Sequence, residues 1–150
     1  MNCFFTDPDW KHCWEGVQVD LSGSDAGAQI VNAYLSQHHF GDVENSCPMA
    51  ALPSDVARSG PRTKRAFETV LRAMVNVLER SLAGHRADDE VRALGIAALC
   101  IGGTVIARAL EERTYADALR RACRNVALQL GGWQAERRKT HSPRRKYGAA

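Results

Sequence analysis

Residues 93–110, ALGIAALCIGGTVIARAL, decide how this chain folds. Between Arg92 and Arg108 lie fifteen residues, Ala93 to Ala107, without a single charge. Wound at 3.6 residues per turn, Leu94, Ile96, Leu99, Ile101, Val105 and Ile106 point in every direction, so a helix here has no polar face. Such a helix must be covered on all sides, and a 150-residue all-α chain rarely surrounds one completely. A partner subunit is the economical cover. The uncharged run is shorter than the roughly 20 residues that span a bilayer, and it is rich in Gly and Ala. Gly95, Ala98 and Gly102 form a stripe of small residues that admits close helix approach. A mid-helix glycine costs about 1 kcal/mol relative to Ala, so the adjacent Gly102 and Gly103 point to a packing reason or a bend.

The segments on either side also read as helices, and no strand pattern appears. Downstream of a helix over about 88–110, a last helix starts at Thr114, with Asp117 placed as in a capping box. It carries Leu119, Ala122, Cys123, Val126 and Leu130 on one face, sets Arg120, Arg121 and Arg124 on others, and stops at Gly131–Gly132. Two such helices joined by a short turn fit half of an intersubunit four-helix bundle. Upstream, Gly60–Pro61 opens an amphipathic helix to about Ala83, with Phe67, Val70, Leu71, Met74, Val77, Leu78 and Leu82 at spacings of three and four. Gly84 ends it. Pro48 suits a first helical position, while Pro53 predicts a kink or two short turns. The first helix is expected over about Ser24–His38, with Ser24 or Asp25 as its N-cap.

The chain has a formal net charge of +3, from 20 Lys and Arg against 17 Asp and Glu. Residues 137–150 hold six of the basic residues and no acid, so residues 1–136 carry −3 and the positive charge belongs to the tail. Three regions follow: an irregular arm over 1–23, a helical domain over 24–133, and a basic tail over 134–150. The start has no basic, apolar signal-peptide pattern, and the chain is expected to be cytoplasmic and not membrane-bound. Five cysteines without a CxxC argue against a disulfide framework and a zinc knuckle. No metal, cofactor or catalytic role is expected, since there is no ExxH pair, GxSxG, P-loop or GxGxxG. Cys47, before Pro48, reads as a small buried residue at a helix start.

AYLSQHHFGDVENSCPMAALPSDVAR (33–58), then an amphipathic helix, then ALGIAALCIGGTVIARAL, resembles the C-terminal ligand-binding and dimerisation domain of TetR-family transcriptional repressors. The resemblance covers about Ala28 to Trp133. Ser46 stands where the family pattern has Gly, and Pro53 interrupts a segment that is helical there. The 27 residues before Ala28 show no helix-turn-helix, so the expectation is a regulatory domain without its own DNA-reading head.

The resemblance implies a TetR-type regulator whose helical bundle binds a small apolar effector and forms a homodimer. A heterodimer with full-length regulators, DNA being reached only through a separate helix-turn-helix, is the further partner it implies. Tyr34, His38, Met49, Phe67, Leu71, Met74, Cys100 and Thr104 are the expected lining of the effector pocket. Gly95, Ala98, Leu99, Gly102, Val105, Ile106, Leu119, Cys123, Val126 and Leu130 are the expected dimer interface. The alternatives are a stand-alone small-molecule binding protein and a nucleic-acid binder using the basic tail.

Overall fold

The computed structural model describes residues 23–43, 47–84 and 86–133. Residues 1–22 of the arm, Ser46 and the basic tail over 134–150 lie outside the described residues. Seven helices and no strand form among the described residues: α1 (Ala26–Tyr34), α2 (Gln37–Gly41), α3 (Pro48–Ala51), α4 (Pro53–Arg58), α5 (Pro61–Arg80), α6 (Asp89–Arg108) and α7 (Arg113–Gly131). The fold is all-α. The hairpin of α6 and α7 is its most closely packed pair, α5 lies against α6, and α1 crosses α5, α6 and α7.

The helix over 24–38 is two helices. It ends at Tyr34, and Ser36 turns extended to cap α2, its hydroxyl accepting the His39 amide at 3.1 Å. Ser36 competes for the backbone more strongly than helix propensity holds it. Pro53 acts as expected, separating α3 from α4 through Leu52 at φ −118° and ψ 9°. On α5 the stripe falls where its spacing puts it. Val70, Met74 and Leu78 are buried, Phe67, Leu71 and Val77 are half-buried, and the exposed Glu68 and Arg72 pair at 2.7 Å.

The capping box at Thr114 does not form. Glu112 is the N-cap of α7, the Thr114 hydroxyl bonds its carboxylate, and Asp117 instead holds Arg120 at 2.5 Å. The glycine stop holds. Gly132 is left-handed (φ 75°), the Trp133 amide donates to Leu128 O, and the Gly132 amide donates to Gln129 O, a Schellman ending. The Trp133 indole N–H then donates to Ser81 O at 2.8 Å, tying the end of α7 to the end of α5.

The residues least legible in the sequence are three arginines that meet helix C-termini, where orphan carbonyls and the negative dipole end attract a cation. Arg92 reaches Leu130 O of α7 at 2.7 Å, Arg108 reaches His39 O of α2 at 2.6 Å, and Arg120 reaches Leu35 O beyond α1 at 2.9 Å. Arg120, expected on a polar face, is buried, with its guanidinium 4.6 Å from the centre of the Phe40 ring.

Candidate functional site

Two places in this fold stand apart from ordinary core. The first is an apolar groove of about 110 Å³. Pro48, Met49, Leu52 and Val56 form one wall, and Thr63, Ala66, Phe67 and Val70 of α5 form the other. It exists because Pro53 breaks the helix: α3 and α4 lean on α5 as two short pieces and leave a gap that one straight helix would close.

The expected pocket residues separate into two groups. Met49 and Phe67 line the groove. Tyr34, Met74, Cys100 and Thr104 are fully buried core instead, Leu71 packs half-buried against that core, and His38 is exposed. Leu52, Val56, Thr63 and Ala66 were not legible as lining residues, because only the break at Pro53 turns them toward one space.

Beside the groove lies an interior polar seam. The Thr104 hydroxyl donates to Cys100 O at 3.0 Å, while Nδ1–H of His39 donates to Tyr34 O at 2.7 Å. Burial pushes the Tyr34 hydroxyl well above its ordinary range, reinforced by neighbouring Cys47. Burial also pulls the His39 imidazole down, with the Arg108 charge assisting and the bond to Tyr34 O opposing. The Cys47 thiol is raised by burial, although the amides of Met49 and Ala50 at the start of α3 and the Tyr34 hydroxyl favour its thiolate. Burial wins, which is the opposite of what a nucleophilic cysteine needs. Cys100, fully buried, is raised further. Among the described residues no three His, Cys, Asp or Glu side chains are placed to hold a metal ion.

The second place is the outer face of the α6–α7 hairpin. On α6, the positions Val91, Leu94, Ala98, Val105 and Ile106 fall on one side, free of charge from end to end. The opposite side, with Ala93, Ile96, Cys100, Thr104 and Ala107, is buried in the chain. On α7, Tyr115, Ala122, Val126 and Leu130 continue the apolar face, and a Cβ placed on Gly95 of α6 would lie 3.7 Å from Cδ1 of Leu130. Val91 is 70% exposed, Ile106 53% and Val126 44%, unusual values for such side chains grouped together.

Within the expected interface, Ala98, Ile106, Val126 and Leu130 are exposed, and Gly95, Gly102 and Val105 are half-covered. Leu99 and Val105 pack on the main core, Leu119 packs against the cluster of Phe40, Ala107 and Ala116, and Cys123 lies against Gly103, all within the single chain. Val91, Leu94 and Tyr115 are exposed apolar residues outside the expected interface, and Glu90 and Arg92 flank Val91 in sequence and hide it from any count of uncharged runs. At twenty residues, α6 is long and apolar enough to cross a membrane, which its fifteen-residue uncharged run did not indicate, and 44% of its apolar stretch is buried within the fold.

No protein-family model, curated protein or solved structure matches this chain.

Proposed function

We propose that this chain is the dimerising, effector-binding portion of a TetR-type transcriptional regulator. The carrying observation is the outer α6–α7 face. Two antiparallel helices present a continuous apolar surface with small residues Gly95, Ala98, Gly102 and Ala122 through its middle, the shape that lets a second hairpin approach closely. A second copy meeting it two-fold would make a four-helix bundle. The sequence resemblance over 28–133 and the groove beside α3, α4 and α5 support the sensing part of the reading. A lipid-facing α6 is less well supported, because Arg92 sits buried on that helix, 2.6 Å from Asp89 and bonded to α7.

Sedimentation equilibrium tests the reading. The full chain is expected to be a dimer at micromolar concentration, and a Leu94→Glu/Val126→Glu double variant is expected to be a monomer with unchanged helical content. Both side chains are already half in solvent, so the charges cost the single chain little. A wild-type monomer at tens of micromolar would remove the basis of the proposal.

A further inference from the structure

We infer that the groove between α3–α4 and α5 takes a short acyl chain ending in a carboxylate or similar anionic head, which Arg62 and Lys64 meet. This rests on reading the groove as the effector site and names the class of effector.

Size comes first. A cavity of about 150 Å³ holds benzene, and pockets for drug-sized ligands run to roughly 300–1,000 Å³. The groove's volume of about 110 Å³ is smaller than that, so it seats only the leading carbons of one slender chain, the rest lying along the open side at Leu52, Thr63 and Ala66. Its length agrees. From Thr63 to Val70 along α5 is about 10 Å at 1.5 Å per residue, the reach of an extended chain of about eight carbons.

Polarity comes next. Every lining residue except Thr63 is apolar, so the interior offers nothing to a polar body. Val70 and Met49 are buried and Thr63 and Leu52 are exposed, which puts the apolar end at Val70 and the open end at Thr63.

Charge decides the head group. Arg62 precedes and Lys64 follows Thr63, each about 100° away on either side of the helix, and both are exposed. Residues 60–67 contain Arg62, Lys64 and Arg65 and no acid. The nearest acids along the chain, Asp55 and Glu68, are engaged by Arg58 and Arg72, each at 2.7 Å. Among the described residues, 47–67 carry four basic side chains against the one acid Asp55, so an anion is favoured at the mouth over a neutral or cationic head.

The test titrates octanoate, octanol and octylamine into the full chain, followed by methyl NMR shifts. Two exposed ion pairs predict octanoate binding about fivefold more tightly than octanol, and the gap should close in about 0.5 M salt. The Arg62→Gln/Lys64→Gln double variant is expected to erase the gap and leave octanol binding unchanged. Octanol binding as tightly as octanoate, or a gap that survives the double variant, overturns the anionic-head inference and leaves the effector groove standing. Failure of all three to saturate, or binding undisturbed by an Ala66→Trp plug in a chain of normal helicity, overturns the groove itself.

Discussion

Arg120 Nη1 donates at 2.9 Å to the carbonyl of Leu35, eighty-five residues earlier, at the point where α1 ends. The same guanidinium holds Asp117 and the Gln37 side chain and lies over the Phe40 ring. Replacing it with Met keeps the bulk and strands the Leu35 carbonyl in the interior. The expected loss is about 2 kcal/mol, read from the midpoint of urea unfolding. Arg121→Met, one residue on and exposed, should move it by less than about 0.5 kcal/mol.

Two glycines predict opposite signs. A Cβ on Gly27 would lie 2.2 Å from Cζ2 of Trp133, whereas one on Gly102 meets nothing within 4 Å. Gly27→Ala should destabilise by about 1–3 kcal/mol through overpacking, despite alanine's better helix propensity. Gly102→Ala should stabilise the single chain by up to about 1 kcal/mol. Thermal midpoints measured at concentrations below any self-association would show both.

His39 makes the fold acid-sensitive. Burial, with Arg108 and His38 assisting and the bond to the Tyr34 carbonyl and Asp42 opposing, sets its folded pKa below the ordinary 6.5. The unfolded chain therefore takes up the proton first, so this contribution is intact above pH 6.5 and is lost as pH falls from there toward the folded value. The stability of His39→Gln, which can still donate to the Tyr34 carbonyl, should fall less steeply between about pH 7 and 5.

Cys100 is fully buried with a raised pKa, so it should not react with a thiol reagent in the folded protein. Cys100→Ala is expected to leave the native count of reactive thiols unchanged and to lower the denatured count from five to four. A faster-reacting native Cys100 would mean that α6 opens readily.

The helical class, the break at Pro53, the apolar stripe of α5 and the glycine stop of α7 were legible because each rests on local chemistry. Spacing, a fixed φ, a missing N–H and a left-handed turn act within a few residues. The sequence by itself also showed that α6 carries more apolar surface than one chain covers. Which half of α6 stays outside was decided by tertiary structure. So was the anchoring of Arg92, Arg108 and Arg120, whose partners are carbonyls up to eighty-five residues away. In sequence those arginines look like ordinary surface charge, because a backbone carbonyl that will accept them has no signature of its own. The groove is of the same kind, since Pro53 predicts that a helix breaks but only the packing of both pieces on α5 leaves a space between them.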